Sequence, residues 1–106
     1  MREIIFDTET TGFDPASGDR LVEIGCIELL NRVPTGRTFH AYYNPQRAMP
    51  AAAEAVHGLS DGFLRDKPLF SHGVQELLAF LEDSHLVAHN ARFDFGFLNA
   101  ELRLCG

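Results

Sequence analysis

The sequence predicts a mixed α/β fold, and three observations predict it. Three short segments rich in β-branched and aromatic residues, separated by turn-like stretches, fill residues 2–44. Helical periodicity then takes over. Finally, one short apolar run at residues 85–89 separates the last two helical stretches. Strands joined by short turns imply an antiparallel meander. Helices flanking a later strand imply helices packed on a sheet.

The elements follow in order. Residues 2–8, REIIFDT, form a short apolar strand. GFDPASGD at 12–19 is turn chemistry. Residues 20–29 give a second strand, NRVPTG at 31–36 a turn, and RTFHAYYN at 37–44 a third strand. A loop follows, and AAAEAVHG has the composition of a short helix closed by Gly58. Ser60 suits the N-cap of another short helix. In residues 71–83, Val74, Leu77, Leu78 and Leu81 recur at helical spacing, with Ser71 as N-cap. HLVAH at 85–89 is the fourth strand. Asn90 then caps a helix over 91–104, with Phe93, Phe97 and Leu98 on one face.

Composition bounds the function. One hundred and six residues make one domain at most, and a hydrophobic fraction of 45% supports a core. A net charge of −6 with a single lysine, Lys67, argues against a protein that coats nucleic acid through a broad basic face. Any handling of nucleic acid would be local and would work through metal ions. Cys26 and Cys105 give neither a disulfide framework nor a zinc spacing, which points to a reducing cytoplasm. No apolar run is long enough to span a membrane, and the N-terminus does not read as a signal peptide. The expectation is a cytoplasmic protein without a membrane partner.

The chemistry lies in the carboxylates. Asp7 and Glu9 are two residues apart, so on a strand both point to one side. Two readings fit: ligands of a hard divalent ion such as Mg²⁺, or solvated acids where the strand ends. Asp94, in the first turns of the last helix, is either a third acid or one placed to favour the helix dipole. A fourth strand beside the first would carry Asp94 toward Asp7 and Glu9. Three converging carboxylates need metal, and two metals with open positions suit phosphodiester hydrolysis.

FDTETTG (6–12), VHGLSD (56–61) and HNARFDFGFLNAEL (89–102) together resemble the DEDD-type 3′–5′ exonucleases. Within them the chain most resembles the proofreading subunits of bacterial replicative DNA polymerases. The similarity runs over nearly the whole chain through VEIGCIEL, NRVPTGRTFH and LVAHN. The resemblance implies a ribonuclease-H-like mixed sheet with flanking helices, the meander joined by a parallel strand. It implies two divalent cations, Mg²⁺ or Mn²⁺, held by Asp7, Glu9 and Asp94. These three are then the metal-binding and catalytic residues. Thr10, Thr11 and Gly12 would line the pocket for a 3′-terminal nucleotide, and His57 would touch it. On the residues alone, His57 reads equally as a helix-end histidine satisfying backbone carbonyls, and Phe93 as core. The implied partners are a DNA 3′ end and a polymerase catalytic subunit.

Two departures from the family pattern shape the expectation. The family's third motif, a histidine and a fourth acid, does not occur in these residues. Residues 1–106 therefore read as a partial exonuclease domain, C-terminally incomplete and inactive by itself. A non-catalytic binding module is the alternative, and RNA in place of DNA is a further one. An apolar edge left on the fourth strand would invite self-association. The second departure is Glu54, which stands four residues after Pro50 where the family's glutamate stands two after the proline.

Overall fold

A computed structural model describes residues 1–105. A four-stranded sheet in the order β3-β2-β1-β4 organises them. The strands are β1 (Arg2–Thr10), β2 (Leu21–Leu30), β3 (Val33–Tyr42) and β4 (His85–Val87). β1–β2 and β2–β3 are antiparallel, and β4 runs parallel to β1. The helices are α1 (Ala51–His57), α2 (Asp61–Leu64), α3 (Phe70–Leu81) and α4 (Ala91–Cys105). Among the described residues no helix is long and apolar enough to cross a membrane.

Alternation along β1 decides which face is buried. Ile4, Phe6 and Thr8 are buried, whereas Ile5 and Asp7 are exposed. The even-numbered face meets Ile24 and Cys26 of β2 and is covered by Val74, Leu77, Phe97 and Leu98 of α3 and α4. Burial pushes the Cys26 thiol up to about 11, so it is an inert core group. On the other face Ile5, Ile27 and Val87 lie side by side in register and remain exposed. A smaller cluster of Val22, Met49 and Leu64 seats α1 and α2 at the far end of the sheet.

Three expectations shift in detail. The turn before β3 is tighter than residues 31–36. Asn31 and Arg32 alone turn the chain, both at positive φ (51° and 68°), and pairing resumes at Leu30 and Val33. Such a two-residue turn matches the twist of its flanking strands. Ser71 lies inside α3, which Leu69 precedes at the N-cap without a side-chain bond. The buried stripe of α3 is Phe70, Val74, Leu77 and Phe80, and Leu78 faces outward. Ser60 does cap α2, its hydroxyl accepting from the Phe63 amide at 3.1 Å. β4 pairs only with β1 among the described residues, so one side of that short strand is bare.

Candidate active site

β1 continues through Glu9, so Asp7 and Glu9 both project from the odd-numbered face of one strand. Asp7 is exposed, and its Oδ1 accepts from the Thr8 amide at 3.0 Å. Glu9 is half-buried. Burial raises its pKa first; His57 opposes this, and the charges of Asp7, Glu23 and Asp94 push it further up.

Asp94 comes from the first turn of α4. It is buried under the even-numbered face, where its Oδ1 accepts the Thr8 hydroxyl. Thr8 points to the buried face of β1 and there ties α4 to the strand that carries Asp7 and Glu9. Burial raises the Asp94 pKa, the Thr8 bond opposes it, and the Asp7 charge adds to the rise. The charges of the three acids act on one another. Among the described residues no three His, Cys, Asp or Glu side chains form a group able to hold a metal ion. The fit to a divalent ion is thus one of donor chemistry. Asp7 and Glu9 offer oxygens on one face, and no Lys or Arg side chain among the described residues pairs with either.

A cleft of about 560 Å³ opens where β1 ends. One wall is Glu9, Thr10, Thr11, Gly12 and Phe13; the other is α1, through Pro50, Val56 and His57. Phe93 lines the same space and meets Phe13 edge-on, with ring centroids 6.4 Å apart. Phe13 is 88% exposed and Val56 79%, which leaves a wide apolar mouth. Such a volume with polar groups at one end is the scale of a small-molecule site.

Each pocket residue has a local reason for its place. The Thr10 hydroxyl donates to the Gly12 carbonyl at 2.6 Å, curling the chain as it leaves the strand. Thr11 is 1% exposed; its hydroxyl donates to Asp19 and accepts from the Arg20 amide, both at 3.0 Å. Gly12 is a steric requirement, because a Cβ there would lie 2.6 Å from the Asp19 carboxyl carbon. His57 uses both ring nitrogens. Nδ1 accepts from the Leu59 amide and Nε2 bonds the Thr10 carbonyl, each at 3.0 Å. A carbonyl can only accept and an amide only donate, so the proton resides on Nε2. His57 thus borders the cleft and also satisfies a backbone carbonyl.

The structure places Glu9, Thr10, Thr11, Gly12 and His57 together at the cleft, while Asp7 and Asp94 lie outside its lining. Reading by residue missed Phe13, Asp19, Arg47 and Val56. Phe13 carried a signal, a large aromatic inside an otherwise polar turn. Glu54 is exposed on α1 and does not line the cleft.

This architecture is the ribonuclease-H-like fold of the DEDD exonucleases. Its likeness to the metal-free structure of an E. coli ExoI–ssDNA complex has a TM-score of 0.88 at 18% identity, over 98% of this chain and 24% of that one. The particular family is the RNase T exonuclease family, which matches residues 4–106, and the chain belongs to it. It is 58% identical over 104 residues to the DNA polymerase III subunit epsilon of Rickettsia conorii, covering 98% of this chain and 45% of that protein. It is 44% identical over 107 residues to the Salmonella typhimurium subunit of the same name, covering 97% of this chain and 44% of that protein. The chain spans a little under half the length of these relatives.

Proposed function

We propose that this chain carries the nucleotide pocket and the first acids of a metal-dependent 3′–5′ exonuclease. Its substrates would be single-stranded or mispaired DNA 3′ ends, trimmed beside the catalytic subunit of a replicative DNA polymerase. The observation that carries this reading is the cleft at the end of β1. It is sized for a nucleotide, walled by Phe13, Phe93 and Val56, and bordered by Glu9 beside Asp7.

The roles follow from position. The exposed faces of Phe13 and Phe93 receive a base by stacking, which tolerates any base because each has a π-face. Gly12 lets the Asp19 carboxylate close against the backbone, and Thr10 and Thr11 fix the curl of the chain beside the nucleotide. Asp7 and Glu9 would hold a divalent cation, Mg²⁺ or Mn²⁺, with the Asp94 charge close behind. That cation would supply a nucleophile at neutral pH and offset charge on the phosphate. A second reading, a nucleotide-binding module without turnover, is favoured by one observation: the Asp94 carboxylate is buried and already engaged by the Thr8 hydroxyl.

The test is calorimetric titration of Mn²⁺ into this chain and into Asp7→Ala, beside release of nucleotides from a single-stranded DNA 3′ end. We expect weak binding that disappears in the variant. Turnover dependent on Asp7 supports the enzyme reading for this chain as it stands. Asp7-dependent binding without turnover supports the binding module. Equal titration of both proteins excludes Asp7 as a ligand and overturns the reading.

A further inference from the structure

The two walls of the cleft come from distant parts of the chain, and two polar tethers cross between them. At one, His57 bonds the Thr10 carbonyl at 3.0 Å. At the other, Arg47 Nη1 donates to Asp19 Oδ1 and to the Gly18 carbonyl, each at 3.0 Å. Arg47 belongs to the segment that leads into Pro50 and α1, the second wall. Asp19 belongs to the loop that forms the first.

Asp19 is the hub of that loop. Its Oδ1 accepts the Thr11 hydroxyl at 3.0 Å, and its Oδ2 accepts the Asp14 amide at 3.2 Å. The carboxylate occupies the space a side chain at Gly12 would fill. One group thus fixes the position of Thr11, Gly12 and Asp14, and through them Phe13. Asp14 stiffens the same loop, accepting from the Ala16 amide at 2.9 Å and the Ser17 hydroxyl at 2.8 Å. The Asp19 and Arg47 side chains keep 17% and 36% of their surface exposed. Such a pair contributes little to global stability. Its geometry bears on the width of the cleft.

We infer that Asp19 and Arg47 are positioning residues that hold the cleft at the width of a nucleotide, Asp19 through Thr11 and Gly12, Arg47 by tying that loop to the segment before α1. The inference rests on the nucleotide-pocket reading above. It extends it by assigning pocket geometry to residues that contact no reacting atom.

The test is calorimetric titration of thymidine 5′-monophosphate, with Mn²⁺ present, into this chain and four variants. These are Asp19→Asn, Arg47→Ala, Arg47→Lys and the double variant Asp19→Asn/Arg47→Ala, with thermal melts of each. Loss of the tether should weaken binding about tenfold in either disruptive single variant. Arg47→Lys, which keeps the charge, should restore most of it, and the double variant should be no weaker than the singles. Melting temperatures should change little, since the pair is partly exposed. Unchanged affinity in Asp19→Asn and Arg47→Ala overturns the inference. So do losses that multiply in the double variant, because the two residues then act separately. An unfolded Asp19→Asn with unchanged affinity in Arg47→Ala also overturns it. A wild-type chain that binds no nucleotide overturns the pocket reading itself and this inference with it.

Discussion

Thr8 shows how one side chain anchors a distant acid. Strand alternation sends it opposite to Asp7 and Glu9, and its hydroxyl engages Asp94. Asp94 is therefore buried, near like charge, and its pKa is raised. A carboxyl raised in the folded state binds more protons there than in the unfolded chain. Its contribution is present below the ordinary range near 3.8 and is lost as pH rises through the folded value. Asp94→Asn removes that penalty at neutral pH and keeps an acceptor for Thr8. We expect its melting temperature at pH 7 to exceed wild type, with the gain gone below the ordinary carboxylate range. Melts across pH check this.

At the scale of elements, the β2–β3 hairpin and the last helix carry the instructive contrasts. Asn31 is well suited to positive φ, whereas Arg32 at 68° is not. Arg32→Gly produces the Asn-Gly pair that two-residue hairpins favour. It should stabilise the chain by about 0.5 kcal/mol, since relief of left-handed strain outweighs the added freedom of glycine. Denaturant unfolding measures it. In α4 the apolar face of Phe97 and Leu98 continues to Glu101, which is 1% exposed. A charge on an apolar stripe is a legible anomaly. It marks a buried partner without saying which.

The partner emerges only at the scale of the whole molecule. Arg20, immediately before β2, donates to Glu101 from Nε at 2.7 Å and Nη2 at 2.8 Å, and the Leu21 amide adds a bond at 3.1 Å. This fork ties the last helix to the central sheet across 81 residues of sequence. Removing one partner of a buried pair leaves the other unsatisfied. Glu101→Ala should cost about 3 kcal/mol, the lower end for buried pairs because Arg20 is partly exposed. That is a large share of the stability of a domain this size. Urea unfolding should show the midpoint fall with an unchanged slope.

The sequence by itself determined the strand order along the chain, the antiparallel meander and the capped short helix at Ser60. These depend on alternation, turn chemistry and capping, which act between neighbours. It also carried the family, because FDTETTG and HNARFD are contiguous. Tertiary structure alone decided which face of β1 receives Asp94, that Arg20 satisfies Glu101, and that Asp19 and Arg47 brace the two walls. Each of these joins groups far apart in the chain, and no local period encodes the side from which a distant helix approaches a strand. The Thr8 hydroxyl decided the fate of Asp94, and it did so by pointing away from the two acids that flank it.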